Sequence, residues 1–246
     1  MPVQIDRRAA KAEAKRLIQT AQVPPLRFTA LLLAIDVGLN LISTAVSGML
    51  GDSFGVLSFS FSFVGVLITL LSTVLMAGFT NYCLRIHRGE TMPYESLFDA
   101  FSFAGKVVLM EVLRGVLIAL ASMLFVIPGL ILAFSYAFAL YHLCEDPGVG
   151  VIEAMRRSRM EMRGYKWQLF LLLLSFWPLL LVLAAALGLC DYLLAPLFSA
   201  TIPGDLLYTL VYGVLTAAAE LYLLPYIELA TVGFYRRATA QTASEL

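Results

Sequence analysis

Charge is what this chain has least of. Only 14% of its 246 residues are Asp, Glu, Lys or Arg, against about a quarter in an ordinary soluble domain. Its 17 basic and 17 acidic residues leave a formal net charge of zero, so no whole-molecule attraction to nucleic acid is implied. Histidine is limited to His87 and His142, and cysteine to Cys83, Cys144 and Cys190. Three scattered thiols without a CxxC, and two isolated histidines, offer no metal-ligand spacing. No metal or cofactor is expected, and the thiols read as apolar filler. A Walker loop, HExxH and GxSxG are all missing, so no enzyme is expected. A cleavable signal peptide is not expected either, because the first 25 residues are charged and hold no apolar core before Leu26.

Apolar residues are abundant. They make up 60% of the chain, with a mean hydropathy of +0.85, and they come in runs that a soluble core does not need but a bilayer does. Six spans are predicted, at Leu26–Leu50, Leu57–Leu84, Lys106–Ile127, Gly129–Leu143, Trp167–Leu189 and Leu206–Tyr235. The basic residues fall between alternate spans. Arg7, Arg8, Lys11, Lys15, Arg16 and Arg27 precede the first; Arg85, Arg88 and Lys106 lie between the second and third; Arg156, Arg157, Arg159, Arg163 and Lys166 lie between the fourth and fifth; Arg236 and Arg237 follow the last. The remaining connections carry Asp52, Asp191 and Asp205 but no Lys or Arg. This asymmetry predicts both termini in the cytoplasm.

Each odd-numbered span is preceded by a segment with helical patterning. Tyr94, Leu97, Phe98 and Phe101 follow the i, i+3, i+4, i+7 spacing; Val151, Met155, Ser158 and Met162 form a second stripe; Ile5, Ala9, Ala12 and Arg16 form a weaker third. These read as helices lying in the membrane interface. The tripeptides Ile127-Pro128-Gly129 and Ile202-Pro203-Gly204, with Gly51-Asp52, are expected to make outer turns. The expected fold is therefore an all-α membrane protein with six transmembrane helices in three hairpin-like repeats, cytoplasmic amphipathic helices and both termini cytoplasmic. Residues 1–25 form the N-terminal amphipathic helix. Residues 26–235 form the transmembrane domain, with interfacial helices near 93–104 and 149–164, and 236–246 form a short tail.

Polar residues inside the spans are the candidates for function, since each ionisable one costs roughly 2.5–3.5 kcal/mol at the centre of a spanning helix. Asp36 and Asn40 lie in the first span, Glu111 and Arg114 in the third, and Glu220 and Glu228 in the sixth. Counted from the nearest basic boundary residue, Asp36, Arg114 and Glu228 all lie roughly 12–14 Å deep. They are expected to form one inner polar layer, with Asn40 and Glu111, in which Arg114 pairs with Glu228, Asp36 or both. The bland alternative is a structural ion pair that fixes helix register. Arg156, Arg157, Arg159, Arg163 and Lys166 are candidate contacts for anionic lipid headgroups, at about 1 kcal/mol each, although topology alone also explains them. Two small-xxx-small pairs, Gly115 with Ala119 and Gly213 with Ala217, suggest close helix packing.

The combination of Arg88-Gly89-Glu90, Leu97-Phe98-Asp99, Ile127-Pro128-Gly129, Ser135-Tyr136, Tyr141, Asp146-Pro147, Glu153-Ala154, Ser158, Met162-Arg163-Gly164, Lys166-Trp167, Phe170, Ser175-Phe176, Pro225-Tyr226 and Phe234-Tyr235 resembles the bacterial integral-membrane family catalogued as domain of unknown function 975. One departure is Leu132, where family members often carry Lys. The resemblance implies the architecture and a bacterial cytoplasmic membrane, and transfers no activity. Three functions then stand in order, with a membrane-embedded enzyme a distant third. The first is a non-enzymatic envelope factor that acts through membrane lipids, a membrane-protein partner or a second copy of the chain. The second is a permease or export component with its site around Arg114. A water-accessible cavity reaching Arg114 favours transport, and a dry, packed layer favours the first.

Overall fold

The computed structural model describes residues 5–20, 24–50, 57–90, 93–194, 196 and 202–244. They form helices α1 (Arg7–Thr20), α2 (Pro25–Leu50) and α3 (Leu57–His87), a short 3-10 helix (Tyr94–Phe103), α4 (Ala104–Leu124), α5 (Val126–Ser135), α6 (Ala139–Glu145), α7 (Val151–Glu161), α8 (Lys166–Leu174), α9 (Trp177–Leu194) and α10 (Ile202–Ser244). Among the described residues no strand occurs. Six segments are long and apolar enough to cross a membrane: Pro25–Val46, Gly65–His87, Tyr94–Leu124, Val126–Glu145, Trp177–Leu194 and Leu206–Gln241.

The number of spans agrees with the sequence reading, and two boundaries are corrected. The fifth span does not start at Trp167. The chain turns at Ser175-Phe176, so α8 is a separate helix and the crossing segment is Trp177–Leu194. The Pro-Gly pairs are not turns. The break after α4 falls at Phe125, which is extended at φ −159°, and Pro128 and Gly129 belong to the first turn of α5. Ile202-Pro203-Gly204 opens α10 in the same way. A proline in the first turn forfeits no intrahelical hydrogen bond, because that N–H has no partner there. Gly51-Asp52 lies outside the described residues.

The core sits at one end of the bundle, where both ends of the described chain meet. The ring of Phe28 stacks on Tyr82 with centroids 3.9 Å apart and lies near Phe79 and Tyr94. Phe138 packs edge-on to Tyr235 at 5.0 Å. α1 buries Ala10, Ala14 and Ile18, a different stripe from the one expected, although Ile5 is also buried. Glu13 of α1 pairs with Arg237 of α10 at 2.5 Å. Arg88 pairs with Glu145 at 2.6 Å, and Arg85 with Asp99 at 3.9 Å. Lys106 at the start of α4 donates to the carbonyls of Pro147 and Val149.

The 3-10 helix explains why the expected aromatic stripe divides. With three residues per turn, Leu97, Ala100 and Phe103 are buried, while Phe98 and Phe101 point outward side by side, their rings 5.9 Å apart. This helix lies hard against α3. A Cβ on Gly78 would sit 1.9 Å from the Leu97 carbonyl oxygen, so the approach requires glycine. Of the small-residue pairs, Gly213 does face a neighbour, Val37 of α2, whereas Gly115 faces open space.

α7 closes a gap between α5 and α6. The backbone turns at 136–138, which frees polar groups that a buried chain must satisfy. The Ser158 hydroxyl donates to the Ser135 carbonyl at 2.9 Å and accepts from the Phe138 N–H at 3.1 Å. His142 of α6 meets Glu161 at the end of α7 at 2.9 Å. The amphipathic segment is thus docked through its Val151, Ala154, Met155 and Ser158 face.

Candidate functional site: a polar cavity among the spans

α3, α4, α6 and α10 leave between them a cavity of about 480 Å³. Sequence periodicity decides what faces it. Thr69, Ser72, Thr73, Met76 and Thr80 recur at helical spacing on one side of α3, a stripe that runs roughly 16 Å along the axis. α4 contributes Val107, Glu111 and Arg114, α6 contributes Leu140 and Tyr141, and α10 contributes Glu228; Ala137 lies in the turn before α6.

Arg114 and Glu111 are three residues apart, so they share a face of α4. Their N···O distance is 2.7 Å, and the side chains remain 31% and 25% exposed. This corrects the expected partner, because the ion pair of Arg114 is with its neighbour on α4 and not with Glu228 or Asp36. Glu228 instead accepts hydrogen bonds from two hydroxyls, Thr80 at 2.9 Å and Tyr141. Asp36 lies behind the wall, where its carboxylate accepts from Ser72 at 3.0 Å, and the side-chain amide of Asn40 donates to the backbone carbonyl and the carboxylate of Asp36. Of the five residues expected in one layer, Glu111, Arg114 and Glu228 line the cavity, Asp36 reaches it through Ser72, and Asn40 is one step further away. Sequence reasoning missed the hydroxyl stripe of α3, although Thr69, Thr73 and Thr80 at four- and seven-residue spacing in an apolar helix were its visible signal.

The basic segment is separate from this cavity. Arg156 and Arg157 both engage Glu153, at 2.8 and 3.1 Å, on the outer face of α7. Hydrogen bonds from the two guanidiniums hold the Glu153 carboxyl below its usual range and raise Arg156. Arg159 and Arg163 are exposed, and Lys166 borders a small apolar groove between α5 and α8 with Trp167 and Phe170. On α1, burial and then the nearby Arg7 lower Lys11, whose amine donates to the Ser175 carbonyl at 3.2 Å and lies over the Phe176 ring. Lys11 thereby caps the end of α8 with a cation. Among the described residues, no three His, Cys, Asp or Glu side chains gather as a metal site.

Among the described residues the chain is all-helical, and its six membrane-length apolar helices, with a polar cavity between four of its elements, are compatible with a multi-pass membrane protein. It belongs to the family described as Protein of unknown function (DUF975), which matches residues 114–242, just over half the chain. That stretch includes Arg114, Tyr141 and Glu228 but neither Glu111 nor the α3 stripe. No curated protein and no solved structure matches the chain.

Proposed function

We propose that this protein is a permease or export component of the bacterial cytoplasmic membrane, with both termini in the cytoplasm and the cavity beside Arg114 as its substrate site. One observation carries the reading: about 480 Å³ of space, lined by an ion pair, a further carboxylate and the hydroxyls of Thr69, Ser72, Thr73, Thr80 and Tyr141, lies among apolar spans. A layer whose role was only to fix helix register would gain from being closed and dry, since charges left half exposed in hydrocarbon are costly. Orientation rests on the basic residues gathered at the end where α1 meets α10. The three hairpin units and the absence of catalysis belong to the same reading.

The test is solvent access in membranes. With Cys83, Cys144 and Cys190 replaced, Thr73→Cys is expected to react with a membrane-impermeant thiol reagent added from one side. If it reacts from neither side while a cysteine at position 88 reacts from the cytoplasm, the cavity is dry. The chain is then better read as a lipid- or partner-binding envelope factor. The groove beside Lys166 and Trp167, with the exposed basic residues of α7, is the feature that supports that second reading.

A further inference from the structure

The hydrogen-bond inventory of the cavity wall indicates what would fill it, granted that the cavity is the substrate site. Each α3 hydroxyl has already spent its proton. Thr69 donates to the Gly65 carbonyl at 2.9 Å and Thr73 to the Thr69 carbonyl at 2.7 Å. Ser72 donates to Asp36 at 3.0 Å and Thr80 to Glu228 at 2.9 Å. Tyr141 donates to Glu228 as well. A hydroxyl has one proton and two lone pairs, so what these groups still offer the space is acceptors. Among the described lining residues, the donors left over belong to Arg114, and Glu111 neutralises that charge at 2.7 Å.

The charge balance points the same way. Arg114 and Glu111 cancel, whereas the hydrogen-bond partners of the Glu228 carboxyl are the Thr80 and Tyr141 hydroxyls and include no basic side chain. The formal sum over the lining residues is thus one negative charge. In a low-dielectric setting such a charge attracts a counter-ion far more strongly than it would in water. Apolar wall is also present at Met76, Val107, Ala137 and Leu140. Acceptors and one uncompensated carboxylate on an otherwise apolar wall complement a cation that carries N–H donors on an apolar body.

We infer that the cavity takes organic ammonium compounds, with the charged nitrogen at Glu228 and the apolar body against α4 and α6. The full chain in phosphatidylcholine nanodiscs tests this with two probes of equal length and opposite charge at neutral pH, n-hexylammonium and hexanoate. Hexylammonium is expected to raise the melting temperature saturably and hexanoate to leave it unchanged. In Glu228→Gln the half-saturating concentration should rise about tenfold, the scale of one charge-assisted hydrogen bond. The wild-type comparison decides by itself if that variant does not fold. A saturable effect of hexanoate alone, equal effects of both ions, or no saturation by either overturns the inference. None of these outcomes bears on Thr73→Cys labelling, so the substrate class can fail while the aqueous cavity stands, and the reverse.

Discussion

The two ends of this bundle are built differently. At the end where α1 meets α10, large side chains such as Phe28, Phe79, Tyr82, Leu97, Phe138 and Phe234 are fully buried. Ion pairs join α1 to α10, Arg88 just after α3 to α6, and α3 to the 3-10 helix. At the other end α9 buries none of its residues, and the tip of the α4–α5 hairpin, from Met123 to Ile127, is at least 70% exposed. The packed end also carries the charged helices α1 and α7, whereas α9 is apolar along most of its length. In lipid, apolar side chains gain little by leaving hydrocarbon for one another, so helices associate where shape and polar contacts favour it. Cohesion is therefore concentrated at one end, and the other end leaves its apolar side chains exposed.

Matched substitutions at the two ends test that contrast, and the largest single loss should come from a large side chain. Phe28→Ala removes a buried ring stacked on Tyr82 and is expected to cost about 3 kcal/mol. Leu189→Ala on exposed α9 should stay within about 0.5 kcal/mol. Unfolding in mixed micelles measures both, and equal losses would dissolve the distinction between the ends. The two glycines give effects of opposite sign. Gly78→Ala drives a methyl group into the Leu97 carbonyl, at about 2 kcal/mol if the 3-10 helix shifts to accommodate it. Gly115→Ala meets nothing within 4 Å and should stabilise α4 by up to about 1 kcal/mol through helix propensity.

A smaller loss than at Phe28 or Gly78 is expected at the cavity. Arg114→Met strands Glu111, but both groups are about a quarter to a third exposed, so the loss should be about 1–2 kcal/mol and not that of a dry pair. Glu111→Gln should restore most of it in the double variant, and Glu228→Gln should not. Rescue by Glu228→Gln instead would place the functional pairing across the cavity.

The six membrane-length helices were legible from apolar run length, because that quantity is set by bilayer thickness. The turns and partners were less so. Pro128-Gly129 looks like a turn whether it closes one helix or opens the next. The break at Ser175-Phe176 sits inside a continuous apolar run. Depth arithmetic gave the level of Arg114 but not its direction. Direction depends on which helix face is packed and which meets lipid, and a Leu on either face is written the same way. Arg114 therefore found Glu111 on its own helix, the contact that requires no knowledge of rotation. The stripe of Tyr94, Leu97, Phe98 and Phe101 misled because it assumed 3.6 residues per turn where the chain uses three.

Glu13 and Arg237 are 224 positions apart in the chain. The ribosome must make everything between them before they can meet. At about 5–20 residues per second, α1 waits on the order of ten to forty-five seconds for its partner, while α2 and the later spans enter the membrane. During that time the Ala10, Ala14 and Ile18 face of α1 has no helix to cover it and can rest on the bilayer surface. The best-packed end of the molecule is in this sense the last to be assembled, and arrival of α10 converts a string of inserted hairpins into a closed bundle.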